Sequence, residues 1–362
     1  MDSMRDTTLY KKVYGCLIGG AIGDAMGGPV EGREWTPEKI RDAYGEIDRL
    51  MPYERDIGYH AHFHKAAGAY TDDTRMKHLL CQAIIAAGGL PRAGDLADVL
   101  ARAYHHAPDE MHEGLLEEYY LKAVWGRDKL IYSGEPTNGA IMSNSPLGLI
   151  AACRPHDAYQ VGFDLAYLTD GYAKSASAMM VAAIAQALHP AATVDGIVAA
   201  SKEAHLAFNA RREGPRWGKL DWKYDPNLQF LDQGIEIAKS SKDYIEVQKR
   251  LYDSLEWGHL FSEATHTLVV PLSMFVHCEG DFKQSVVACV MYARDNDSYA
   301  SVAGALAGAY QGVDAIPEDW IATVIAANPE TDMIDIADRL TRIIIDEYEN
   351  TRRTIDAMAS LM

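Results

Sequence analysis

Two short runs of this chain pair carboxylates with hydroxyls at the mouth of an apolar-periodic segment. They are Thr71-Asp72-Asp73-Thr74 and, far downstream, Asp295-Asn296-Asp297-Ser298. Several hard oxygen ligands carried on rigid elements are what a hard divalent cation takes. Helix capping competes with that reading, because a threonine at the N-cap and acids in the first turn satisfy free N–H groups and the positive end of the dipole without any ligand. Capping explains one such run easily. Two of them point to a metal site, provided that the fold brings them together. A further acid, Glu31, stands in the turn Gly28-Pro29-Val30-Glu31-Gly32.

The elements that would have to position these groups are legible in the spacing. After Thr71, the residues Met76, Leu79, Leu80, Ile84 and Ile85 recur at three and four, which predicts a helix with Thr71 as its N-cap. Residues 10–27 read as a helix carrying Gly15, Gly19, Gly23 and Gly27 at a strict four-residue spacing. Each glycine costs a helix about 1 kcal/mol against alanine, so such a stripe implies a neighbour packed unusually close. A dinucleotide-binding glycine loop does not fit, since no apolar strand precedes these glycines and their spacing differs from that fingerprint. Residues 298–311 repeat the theme with Ala300, Gly304 and Gly308 four apart. Both helices are therefore expected at the centre, their ends bringing the acidic groups together.

The rest of the chain reads as mainly helical. Further helices are expected over residues 172–188, 192–207, 228–238, 244–256, 265–276, 282–292 and within 317–362. No stretch alternates polar and apolar residues for long, and no repeat period appears, which predicts an all-α, single compact multi-helix domain over residues 1–362. His60, His62 and His64 alternate in a loop-like stretch, where a solvated loop beside the site is favoured over a transition-metal face. Residues 211–227, with Pro215, Trp217 and Trp222, read as a surface insertion or lid. The turn-rich stretch from Ser133 to Gly139 is a usual place for ligand contacts.

Composition narrows the function classes. Against 34 basic side chains stand 52 acidic ones, a formal charge of -18 that opposes nucleic acid or an anionic membrane as partner. The longest apolar run, residues 176–187, is too short to span a bilayer and contains Gln186. Cys16, Cys81, Cys153, Cys278 and Cys289 are odd in number and widely spaced, and read as buried free thiols of a reducing compartment. A cytoplasmic protein is expected; its oligomeric state is not encoded legibly.

Four segments, in order, resemble the ADP-ribosylglycohydrolase family, which includes ADP-ribosylarginine hydrolases and dinitrogenase-reductase-activating glycohydrolase. They are Gly15 through Glu31, then Thr71-Asp72-Asp73-Thr74, then Asn138-Gly139-Ala140-Ile141-Met142, then Asp295-Asn296-Asp297-Ser298 with the following Gly304-Ala305-Leu306-Ala307-Gly308-Ala309-Tyr310 helix. The resemblance spans residues 10–312 and implies an all-α fold with a binuclear Mg2+ centre, Mn2+ being an alternative. By position it implies metal ligation by Thr71, Asp72, Asp73, Asp295, Asp297 and Ser298, with Ser298 in place of the more usual threonine. It implies catalytic carboxylates among Glu31, Asp72 and Asp73, and substrate contacts from the loop of Asn138, Gly139, Met142 and Ser143. Three positions depart from the pattern: Ser143 replaces an arginine, Arg294 replaces a glycine, and the Asp170-Gly171-Tyr172 turn lacks a histidine. The implied activity is hydrolysis of the C1 bond of ADP-ribosyl-arginine or a related ADP-ribosyl conjugate, with an ADP-ribosylated protein or a small ribosyl substrate as partner. The alternatives are hydrolysis of a smaller ribosyl compound or nucleoside, and a non-catalytic ADP-ribose binder or structural protein on the same scaffold.

Overall fold

Thr7 opens the first long helix, Thr8–Gly27, two residues ahead of the expected start, because its hydroxyl accepts from the Tyr10 N–H at 3.2 Å. The structure, a computed structural model, describes residues 2–53, 66–106, 136–166, 168–211, 225–255 and 260–362. The histidine triplet His60, His62 and His64, the tryptophans Trp217 and Trp222, and the turn residues Ser133 to Glu135 lie outside them. Among the described residues there are α-helices and two short 3-10 turns but no strand, so the all-α class holds. The β-type pairing found there is limited to two single bridges, Gly32 with Arg294 and Thr137 with Glu263.

The centre is a pair of antiparallel helices, Thr8–Gly27 and Asn296–Gln311. A Cβ on Gly15 would lie 2.5 Å from the Gly308 carbonyl oxygen, and one on Gly19 would lie 2.5 Å from that of Gly304. Gly23 meets Ala300 and Gly27 meets Asp297 in the same way. Backbone thus touches backbone along four turns. Every residue from Val13 to Val30 and from Asp295 to Ala309 is buried, which explains why neither helix shows a one-sided apolar stripe.

The other helices wrap this pair. Ala173–Ala187, Ala264–His277 and Phe282–Val290 pack on Asn296–Gln311, while Glu318–Ala327 and Met333–Ala359 pack on Thr8–Gly27. The helix Asp72–Ala87, capped by Thr71 as expected, touches both central helices. Pro37–Tyr44 and Pro155–Asp164 are short helices with proline in the first turn, too brief for periodicity to announce. No helix among the described residues is long and apolar enough to cross a membrane.

One expectation needs correction. All five cysteines are free, but they are not uniformly buried: Cys153 is exposed and Cys278 half-buried, because Cys153 sits in a left-handed turn (φ 61°) where the chain leaves one helix for the next.

An alanine at Gly19 would force backbone from backbone, and should lower stability by about 3 kcal/mol. Gly89→Ala, where an added methyl meets nothing within 4 Å, should be near neutral. Denaturant titration of the two variants checks the contrast.

Candidate metal centre

Antiparallel pairing sets the end of one central helix against the start of the other. Thr8–Gly27 runs into the 3-10 turn Gly28–Val30 and delivers Glu31, while Asp295 stands at the N-cap position of Asn296–Gln311 on the facing side, without a capping hydrogen bond from its side chain. The Gly32 N–H donates to the Arg294 carbonyl at 3.0 Å and ties the two ends. Ala293 and Arg294 both adopt left-handed backbone (φ 65° and 62°), a conformation costing about 1 kcal/mol for a residue with a side chain. The strained turn aims Asp295 at Glu31. Carboxylate oxygens of Glu31, Asp295 and Asp297 lie within 4.8 Å of one another. Oxygens on opposite sides of a calcium ion stand about 5 Å apart and of a magnesium ion about 4.2 Å, so three such groups could share one coordination sphere, drawing in by a few tenths of an ångström around the smaller ion.

The other acidic run arrives from the side. Thr71 begins the helix Asp72–Ala87, and its hydroxyl donates to Asp297 Oδ2 at 3.3 Å. Reciprocally, the Ser298 hydroxyl donates to Asp73 Oδ2 at 3.2 Å. Each run's hydroxyl therefore braces the other run's carboxylate, and the two turns meet within hydrogen-bonding reach.

What holds the second run there is Asp24, a carboxylate buried in the glycine helix. It accepts from the Thr71 N–H at 2.9 Å, from the Thr74 N–H at 3.0 Å and from the Thr74 hydroxyl. Those amides are orphan donors of a helix start, so an inward-facing acid on a neighbouring helix is a natural clamp. The resemblance assigns no role to Asp24, which lies within the segment Gly15 to Glu31. Its signal was available: a lone charge in a run of Gly, Ala and Ile that packs on all sides. Tyr53 was missed too; its buried hydroxyl donates to the Ala69 carbonyl at 3.2 Å and is pushed up by burial, then by Asp24, Asp297 and Glu31. Nothing in its sequence context marked it.

The loop residues occupy a different place from the carboxylates. Asn138 is buried and donates through Nδ2 to Asp295 Oδ2 at 2.6 Å and to Thr267 Oγ1 at 3.2 Å, so its amide orients Asp295. Gly139, Met142 and Ser143 lie buried in the one-turn helix Gly139–Ser143, and the Ser143 hydroxyl donates to the Gly139 carbonyl at 2.7 Å. Asn296 turns away from the cluster and donates to the Val290 carbonyl at 2.6 Å.

Electrostatics sets the demand for a cation. Asp73, Asp295 and Asp297 are each about 2 to 4% exposed, and burial raises all three far above the usual carboxylate range. Neighbouring carboxylates add to it: Asp24 and Asp72 on Asp73, Glu31 and Asp72 on Asp295, Glu31 and Asp73 on Asp297. Burial raises Asp24 as well, against the pull of its threonine donors. Asp73 Oδ1 is a buried acceptor with no hydrogen-bond partner, and an acceptor in that position is costly unless something binds it. The donor set is oxygen throughout, which suits a hard divalent ion.

A model of the ADP-ribosylglycohydrolase family matches residues 5–350. The chain belongs to the ADP-ribosylglycohydrolase family. It is accordingly an enzyme of the glycohydrolase class. The ADP-ribosylhydrolase ARH3 of Bos taurus is similar at 22% identity, with 84% of this chain and 86% of that protein covered. ADP-ribosylarginine hydrolase Tri1 of Pseudomonas putida is 25% identical over 86% of this chain and 74% of its own length. Among solved structures, an ADP-ribosylglycohydrolase-related protein complex shares the fold, with a TM-score of 0.61 at 23% identity, covering 93% of this chain and 99% of that one.

The raised carboxylates carry a signed prediction. A group whose folded value lies above its unfolded value favours the fold fully below the unfolded value, about 4 for aspartate, and loses that contribution as pH rises through the folded one. In cation-free protein, Asp297→Asn should therefore gain stability over the parent progressively as the pH is raised above about 4. Millimolar magnesium should reverse the order at neutral pH, since the parent alone keeps the full ligand set. Thermal melts across pH, with and without the ion, read both effects.

Proposed function

We propose that this chain hydrolyses the C1 glycosidic bond of an ADP-ribosyl group, in ADP-ribosylarginine or a related ADP-ribosyl conjugate. The observation that carries the reading is the reciprocal bracing of Thr71 by Asp297 and of Ser298 by Asp73, above three carboxylates within 4.8 Å. The family relationship and the printed activities of ARH3 and Tri1 support the substrate class.

Thr71, Asp72, Asp73, Asp295, Asp297 and Ser298 are the residues that would hold two magnesium ions, with manganese as the alternative. Six carboxylates, counting Asp24 and Glu31, gather at this point, and their formal charge exceeds what one divalent ion offsets. When bound, such ions chelate the vicinal ribose hydroxyls and lower the pKa of a water molecule. The remaining work falls to the chain. Cleavage at C1 builds positive charge on the sugar, which a carboxylate not taken up by the ions would stabilise. Glu31 is half-buried where Asp73, Asp295 and Asp297 are buried, which favours it over Asp72 and Asp73 as the base that takes a proton from the attacking water. Asn138 acts through Asp295, keeping that carboxylate turned toward Glu31. The adjoining segment Gly139, Met142 and Ser143 would border the sugar.

A second reading is hydrolysis of a smaller ribosyl compound or nucleoside. Ser143, which replaces the arginine of the family's pattern, spends its hydroxyl on the Gly139 carbonyl and offers no cation to a diphosphate. The same proposal takes the chain as one domain, acting in the cytoplasm; its charge of -18 disfavours nucleic acid and membrane as partners.

Asp72→Asn and Asp297→Asn should each lower magnesium-dependent turnover of an ADP-ribosyl substrate by about a hundredfold or more, a loss in the range seen when one charge-stabilising group is removed. Retained turnover in both variants would sink the assignment. Comparing ADP-ribosylarginine, an ADP-ribose ester and a plain nucleoside by kcat/KM separates the two readings.

A further inference from the structure

A lysine is buried beneath the acidic cluster. Lys77 stands one turn beyond Asp73 on the helix Asp72–Ala87, on the same face, and is 1% exposed. Its ammonium donates to Ser301 Oγ at 2.9 Å, the one hydrogen-bond partner found for it among the described residues. Ser301 lies one turn beyond Asp297 on the facing central helix. Gly20 makes the room: a Cβ there would lie 2.6 Å from Lys77 Nζ. Three helices thus converge on this ammonium, and each of them carries an acidic residue of the cluster: Asp24, Asp73 or Asp297.

A buried ammonium with a single neutral partner is expensive unless opposite charge compensates it. The compensation comes from the cluster, since Asp73, Asp24 and Asp297 stand one helical turn from Lys77, Gly20 and Ser301 respectively, the three residues that meet at this ammonium. We infer that Lys77 is a positioning residue for the cation site, a fixed internal positive charge that keeps the inner carboxylates in place when no cation is bound and loosens the cation's hold when one is. The inference rests on reading the cluster as a cation site. Its consequence is a centre that survives loss of its ions without collapsing, and that exchanges them more readily than the carboxylates alone would allow.

The test uses the full chain and two neutral replacements, Lys77→Met and Lys77→Gln, the second keeping a polar group for Ser301. Melting temperatures are read with and without manganese, and manganese affinity by calorimetry. Both variants should melt lower than the parent without the ion and bind manganese at least tenfold tighter, as expected when a like charge leaves the neighbourhood of a divalent ion. The gap between the two melting temperatures then widens. A variant that folds only with manganese is the same result in its extreme form. A merely structural lysine would lower both temperatures equally and leave affinity unchanged, and that outcome, or failure to fold under either condition, overturns the proposal. Absence of manganese and magnesium binding by the parent chain would instead remove the cation reading itself.

Discussion

The structure depends on a contact that has no side chain in it. Along Thr8–Gly27 and Asn296–Gln311, Gly15 and Gly19 face glycine, Gly23 faces Ala300 and Gly27 faces the Asp297 backbone, and the two backbones meet where Cβ atoms would collide. Such contact gains dispersion and close fit at the expense of helix propensity. The separation it enforces is what sets Glu31 opposite Asp295 and Asp297. A wider pairing would leave those carboxylates in different coordination spheres.

The second constraint is electrostatic and opposes the first. Packing this tight excludes water, and burial raises Asp24, Asp73, Asp295 and Asp297, with neighbouring carboxylates adding to the rise of the last three. Hydrogen bonds manage part of that repulsion: Asp24 is spent on the Thr71 and Thr74 amides, Asp295 on Asn138, and the hydroxyls of Thr71 and Ser298 bridge the two runs. The unpartnered Asp73 Oδ1 shows where protein donors stop. Arrangements of this kind keep ligand oxygens rigid and close, which a metal centre requires and a folded chain alone does not.

At Thr71, helix capping and a cation site are compatible uses of one hydroxyl. Thr71 is both the N-cap of its helix and a hydroxyl aimed at Asp297. Capping places short oxygen-bearing side chains at a helix start with little freedom. Two starts brought face to face then supply a preorganised oxygen cage, and no separate element has to be built for it.

Much of this was legible in the chain. The glycine spacings named the central pair, the periodicity after Thr71 named the helix that carries the first run, and the residue types named the chemistry, because local steric and capping preferences act within a few residues and leave a pattern there. The order of four motifs named the family. What only the tertiary structure decided is which group touches which: that Asp24 clamps the Thr71 turn, that Asn138 turns inward to Asp295, that Tyr53 borders the acids and that Lys77 lies under them. Those pairings join residues far apart in sequence, and a buried charge reveals its partner only after the backbones that carry both have closed around them.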